Sequence, residues 1–454
     1  MPHQSIERLS SSDMLMLWPD EFWPQDVAAL AYLDGSSLFD ADGQFRIGFV
    51  RQAVAERLHM HRRLRQVIYV PPSGLGNPLW IDDAGFDVAN HVRVHALDPD
   101  ADEAVVLQTV EQLRLRRLDP SHPLWELWFL PGLADRRVAL YMRLHHAMAD
   151  GMAALIVLGA LLDLEPGSQG GAGIAWKPLP PPTETEIRDD HARRRRHHLS
   201  SIVSVLGHPV KSLERLVAFL PAIGELVARR PGPDTPLNHV VGPSRRVALV
   251  RADLEVIKDL AGRHGGTVND ALLATIAGGL RRWLLSRDVE VEKLELPVYV
   301  PVSLRHHSTQ EDGGNQVAQM VVPLPLGESD LAERVGLIAA ETVVRKARSR
   351  PSISKLPHTG QSGRLMVKVL NRQRVNVTTA DLAGPPVRLY MAGAPLLEVF
   401  PLLPLIGPVS LGIGALSYAG AFNLGLVADP EAIPDVGLIA AAMAEELSGV
   451  GAGR

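Results

Sequence analysis

From Val399 to Ala428 the chain carries no charged side chain. A run of that length could cross a bilayer as a helix. It is interrupted, however, by Pro401, Pro404 and Pro408 and by Gly407, Gly412, Gly414, Gly420 and Gly425. A lipid-facing helix could not satisfy its backbone amides through so many breaks. The segment therefore reads as buried strands joined by turns, which need a core to cover them. The 454 residues exceed what one ordinary core holds, so two domains of roughly 200 residues each are expected. A hydrophobic fraction of 46% supplies the apolar side chains. The net charge of −5 argues against a nucleic-acid partner. The absence of cysteine removes disulfides, thiolate metal sites and a cysteine nucleophile, and fits a reducing compartment. The opening MPHQSIERLSSSD has no apolar signal core, so no export signal is expected and a cytoplasmic location follows.

The chain divides into an N-terminal α/β part, residues 1–185, a linker, 186–240, and a second α/β part, 241–454. In the first part the patterning predicts a helix from Phe49 to His61, a strand from Arg65 to Val70 and a helix from Asp102 to Arg116. Two apolar runs, Leu124–Leu130 and Arg137–His145, flank Pro131-Gly132 and Asp135 and predict an antiparallel pair. An apolar helix is expected from Met152 to Leu162. A Pro/Gly-rich stretch then leads into the basic run Arg193–Arg196, followed by a segment that is apolar at helical spacing. In the second part Val247–Arg251 reads as a strand. Asp253 can cap a helix through Arg263, and Thr267 can cap another to Ser286 with Asp270 completing a capping box. Strands at Leu296–Val302 and Gln316–Leu324, a helix from Asp330 to Arg348, a strand-rich end and a last helix from Asp435 to Leu447 complete the reading. Two such halves suggest a pseudo-duplicated molecule with a ligand cleft between them.

The strongest chemical signal is His145-His146-Ala147-Met148-Ala149-Asp150-Gly151, at the junction of a strand and a helix. Adjacent side chains on a strand face opposite ways, so only one of the two histidines can serve easily as a base. A neutral imidazole titrates near neutral pH and suits proton abstraction from a hydroxyl. Asp150 can fix the turn, and Gly151 permits a backbone conformation that a side chain would penalise. The same residues could be a solvated pair ahead of a helix cap. They are poorly spaced for a metal, whose paired histidines need one face, and no metal is expected.

The His145-His146-x-x-x-Asp150-Gly151 pattern resembles the HHxxxDG motif of the CoA-dependent acyltransferase superfamily. Other segments, in order, resemble the bacterial wax ester synthase/diacylglycerol acyltransferase family. These are Pro123-Leu124-Trp125, Asn269-Asp270, Pro301-Val302-Ser303-Leu304-Arg305, Gly314-Asn315, Gly384-Pro385-Pro386 and Ser417-Tyr418-Ala419-Gly420. Between Asn376 and Gly384 the chain carries more residues than the family's "SNVPGP" pattern, which affects the shape of that loop.

The resemblance implies two chloramphenicol-acetyltransferase-like domains, with mixed sheets flanked by helices and the active site in a channel between them. It implies His146 as the catalytic base, with His145 and Asp150 beside it, and direct transfer from acyl-CoA to a diacylglycerol or a long-chain alcohol. Gly151, Pro123, Leu124, Trp125, Asn269 and Asp270 would support the site. The last two read first as a turn residue and a helix cap, and the Pro-Leu-Trp run also as the start of a buried strand. Arg281, Arg282 and Arg305 are candidates for the CoA phosphates, and also ordinary surface charges. Acyl-CoA would be a co-substrate, and no cofactor is expected. Long-chain substrates and the basic linker suggest peripheral contact with the inner membrane face or lipid droplets. Two other functions compete: a condensation domain fed by carrier-protein thioesters, and a non-catalytic lipid-binding scaffold.

Overall fold

The computed structural model describes residues 6–17, 19–148, 156–167, 176–206, 232–303, 317–347 and 374–452. The first half runs α1 (Ser11–Leu17), β1 (Asp26–Asp34), α2 (Ile47–Arg57), β2 (Gln66–Tyr69), β3 (Leu79–Asp82), β4 (Val92–Val94), α3 (Glu103–Arg114), β5 (Trp125–Pro131) and β6 (Arg137–His145). A helix α4 (Glu184–Leu206) leads to the second half. That half contains β7 (Arg246–Asp253), α5 (Leu254–Arg263), α6 (Val268–Leu285), β8 (Glu295–Ser303), β9 (Val317–Pro325) and α7 (Leu331–Ala347). It closes with β10 (Val377–Ala383), β11 (Tyr390–Met391), β12 (Ala394–Leu402), β13 (Leu411–Tyr418), β14 (Ala421–Ala428) and α8 (Val436–Ala452).

Local chemistry sets most of these boundaries. The Asp102 carboxylate accepts the amide of Val105 at the start of α3, and Asp253 accepts those of Glu255 and Val256 at the start of α5. Thr267 and Asp270 form the expected capping box on α6. The β5–β6 connection turns through Gly132 at φ 132° and through Asp135 and Arg136 at φ 57° and 54°.

Two mixed six-stranded sheets result, ordered β11-β12-β1-β6-β5-β4 and β7-β14-β13-β10-β8-β9. The uncharged C-terminal stretch forms strands of both. β13 and β14 pair in the second sheet, while β12 crosses over and pairs antiparallel with β1, Ala28 opposite Leu402. The division at residue 240 thus follows the chain, whereas two strands from beyond it, β11 and β12, join the first sheet. Among the described residues no helix is long and apolar enough to cross a membrane.

Alternation along β6 shows how the sheets are used. Val138, Leu140, Met142 and Leu144 join a core that includes α2 residues Val50 and Val54. Ala139 and Tyr141 join a separate core with Ala28, Leu30 and Phe400 and, from the second half, Val247 and Val427. That second core is the seam between the sheets. A third core packs α5, α6 and α8 against the far face of the second sheet. The crossover strand lies hard on that sheet. A Cβ on Gly414 or Gly425 would stand 2.8 or 2.3 Å from the Pro401 carbonyl oxygen.

The basic run is helical. It sits within α4, which begins at Glu184 and is pinned to the first half by buried Ile187 and by Asp190, whose carboxylate accepts from Arg8 Nε at 2.7 Å. Most of the apolar segment that follows falls outside the described residues, as does the start of the helix expected from Met152.

Candidate active site

β6 ends at His145, opposite Asp26 of β1 and next to the first residues of β5. Its seam-facing row continues from Tyr141 through Arg143 to His145. His145 is 2% exposed, while His146, one residue past the strand, is only half-buried. The backbone holds both: the His145 amide donates to Leu124 O at 2.9 Å and the His146 amide to Gln25 O at 2.8 Å. The chain then turns, with the Met148 amide donating to His145 O at 2.9 Å.

The His145 ring is committed to structure. Its Nδ1 accepts the Ala147 amide at 3.0 Å. An accepting Nδ1 leaves the proton on Nε2, which lies 3.2 Å from Asp20 Oδ1, off the line of an ideal hydrogen bond. Asp20 belongs to the short turn Pro19–Glu21 and also accepts the Gln25 amide at 2.8 Å. Burial pushes the Asp20 carboxyl up, but the His145 ring facing it, the Gln25 amide and Arg117 together outweigh it, so its pKa falls below the ordinary value.

Beneath the pair lies a buried ionic network. Arg143 is 1% exposed and donates to Glu126 Oε2 at 2.7 and 3.0 Å, to Asp26 Oδ2 at 3.1 Å and to Arg116 O at 2.6 Å. Trp128 Nε1 donates to the same Glu126 oxygen at 2.9 Å. Burial raises the Asp26 pKa, against the pull of Arg143. The network fixes the ends of β1, β5 and β6, from which both histidines are hung.

The structure places Pro123, Leu124 and Trp125 directly behind the pair. Leu124 supplies the carbonyl for the His145 amide, and Trp125 is buried, donating through Nε1 to Leu64 O at 2.8 Å and stacking on His91 with centroids 4.5 Å apart. Asp270 lies elsewhere, in the second half. Its Oδ2 takes the Thr267 amide and hydroxyl, and its Oδ1 takes the Thr342 hydroxyl at 2.8 Å, so it caps α6 and ties it to α7. Asn269 precedes it on the same first turn. Arg281 donates to Leu326 O at 2.7 Å, and Arg282 pairs with Glu445. These contacts are local to the second half. Asp150, Gly151, Arg305, Leu304 and Gly314-Asn315 lie outside the described residues.

The two C-terminal motifs meet each other. The Gly384 amide donates to Ser417 O at 3.0 Å and the Ala419 amide to Pro385 O at 3.1 Å. Ala419 and Gly420, at φ 47° and 90°, make the two-residue turn between β13 and β14. They serve packing and turn geometry.

Sequence reasoning missed Asp20, Gln25, Asp26, Glu126 and Arg143. Glu126 and Arg143 carried a signal, since each is a lone charge inside an apolar strand run. Asp20 and Gln25 carried none.

Comparison with known proteins bears on this geometry. A family model described as the wax ester synthase/diacylglycerol acyltransferase catalytic domain matches residues 9–272, and one described as the WS/DGAT C-terminal domain matches residues 313–450. A Mycobacterium tuberculosis protein named as a diacylglycerol O-acyltransferase is 28% identical, covering 98% of this chain and 90% of its own length. A Mycobacterium bovis protein named in the same way is 29% identical, over 89% of this chain and 90% of that one. Among solved structures, the wax ester synthase/diacylglycerol acyltransferase of Marinobacter aquaeolei superposes with a TM-score of 0.68 at 23% identity, covering 98% of this chain and 99% of the other. The first condensation domain of the calcium-dependent antibiotic synthetase shares the fold at a TM-score of 0.62 and 14% identity, covering 98% and 96%.

Proposed function

The chain belongs to the wax ester synthase/diacylglycerol acyltransferase family, and from that premise we propose that it moves an acyl group from acyl-CoA to the hydroxyl of a diacylglycerol or a long-chain alcohol, with His146 as general base. One observation carries the choice of residue. Of the two adjacent histidines, His145 is buried with its ring nitrogens turned to Ala147 and Asp20, whereas His146, past the end of β6, is only partly buried. His146 takes the proton from the acceptor hydroxyl, and the oxygen attacks the thioester carbonyl. The tetrahedral adduct then collapses, expelling the CoA thiolate, which takes up the proton held by the imidazolium. A thiolate leaves readily because its conjugate acid has a pKa near 8.5, so no stronger acid is needed. The C-terminal family match weighs against a carrier-protein condensation domain, whose likeness to this chain is one of fold.

The test uses purified protein, radiolabelled palmitoyl-CoA and either hexadecanol or a diacylglycerol. Labelled neutral lipid is expected, and the preferred acceptor separates wax ester from triacylglycerol synthesis. His146→Ala should lower kcat by about 10²–10⁴-fold with an unchanged circular dichroism spectrum. Near-parental turnover in that variant removes His146 from the mechanism.

We also propose that α4 meets an anionic lipid surface. Arg193, Arg195 and Arg196 are exposed on a helix already anchored to the first half, and the substrates partition into lipid. Flotation with anionic vesicles should carry the protein upward, and replacing these three arginines with glutamine should abolish it. Unchanged flotation in the triple variant overturns the idea.

A further inference from the structure

The geometry assigns Asp20 the role of a positioning residue for His146, acting through the His145 ring. The assignment rests on His146 being the base. Two tethers fix the backbone on either side of that residue, and both end on one oxygen. On one side the His146 amide donates to Gln25 O at 2.8 Å, and the Gln25 amide donates in turn to Asp20 Oδ1 at 2.8 Å. Gln25 is itself 2% exposed, with its side-chain Nε2 held by Trp23 O at 2.7 Å. On the other side the Ala147 amide donates to His145 Nδ1 at 3.0 Å, and His145 Nε2 faces the same Asp20 Oδ1 at 3.2 Å.

The His145 tautomer is the link. A proton on Nδ1 would point at the Ala147 amide, setting two donors against each other. A proton on Nε2 lets Nδ1 accept and places the N–H against a carboxylate. Asp20 therefore stabilises the tautomer that keeps the 145–148 turn closed. Its carboxyl is ionised at neutral pH, being held below the ordinary carboxylate range. Without that charge the two tautomers draw closer in energy, the Ala147 bond is lost in part of the population, and His146 is no longer held at one position. Small displacements of a reacting group slow chemistry more than they weaken binding. A bland role also exists: Asp20 caps the turn through the Gln25 amide and does nothing more.

The experiment separates the two roles. Asp20→Ala should lower kcat about tenfold or more, as loss of an orienting partner does elsewhere, with KM for palmitoyl-CoA nearly unchanged. Nitrogen-15 spectra of histidine-labelled protein should show the His145 ring leaving the Nε2-protonated pattern. Because the tautomer effect runs through His145 and only the Gln25 tether bypasses it, removing Asp20 in a His145→Ala background should cost clearly less turnover than removing it from the parent. Should Asp20→Ala melt early, Asp20→Asn carries the test. It keeps an acceptor for the Gln25 amide but removes the charge, and a smaller loss of kcat with altered His145 shifts is expected. Parental turnover in the Asp20 variants beside an inactive His146→Ala overturns the role of Asp20 alone. So does an unchanged His145 tautomer, or a full Asp20 effect in the His145→Ala background. Activity retained in His146→Ala overturns both this role and the base.

Discussion

The two sheet faces that meet across the seam are built alike and used differently. The face of the first sheet carries Asp26, Glu126, Arg143 and His145 at the ends of three adjacent strands, all buried. The corresponding rows of the second sheet carry Gly412, Gly414 and Gly425 beside Val247 and Val427. Glycine there lets the crossover strand β12 lie backbone to backbone on the sheet, with the Pro401 carbonyl where side chains would be. One face holds fixed charges in a low-dielectric setting, and the other is a seat. The paired halves thus divide the labour: a polar network pre-organises the histidines, while a glycine-lined seat lets the crossover strand pack closely against the second sheet.

Mutations can break or sharpen this contrast. The largest effect on stability is expected from Arg143→Ala, which strands Glu126 and Asp26 in the seam and should cost about 3–5 kcal/mol by denaturant unfolding. Arg251→Ala is the control. Arg251 also bridges two carboxylates, Glu103 and Glu398, but its side chain is 41% exposed, so a loss of about 0–1 kcal/mol is expected. Equal losses would mean that burial does not set the value of these ion pairs. Next comes the seat. Gly425→Ala must push Pro401 aside and should cost about 1–3 kcal/mol. The smallest effect is expected at Gly437 in α8, where an added Cβ would meet nothing within 4 Å. Gly437→Ala should be neutral or stabilise by about 0.5–1 kcal/mol. A neutral Gly425→Ala would show that the crossover strand is not held against the sheet as described.

Local signals made much of the molecule legible. The β5–β6 pair was marked by its Pro-Gly turn, and the α6 boundary by Thr267 and Asp270, whose capping box needs only four residues. β1 escaped the reading, although it is the central strand to which β6 and β12 both pair. Between its terminal aspartates the run VAALAYL is apolar throughout because the strand is buried on both faces, so it lacks the alternation that marks a half-buried strand. The place of β12 in the first sheet was also hidden. Pairing across such a span of chain leaves no trace in the spacing of nearby residues.

By itself, then, the sequence determined the two α/β halves, the strand character of the uncharged stretch and the histidine pair at the end of a strand. Periodicity, turn residues and caps act over a few residues, and a motif is a local pattern. Only the tertiary structure decided which histidine is buried, that Asp20 faces its ring, and that Arg143 is neutralised by Glu126 and Asp26. Those contacts join β1, β5, β6 and the turn ahead of β1. They exist because burying one charge requires bringing its partners from wherever in the chain they lie.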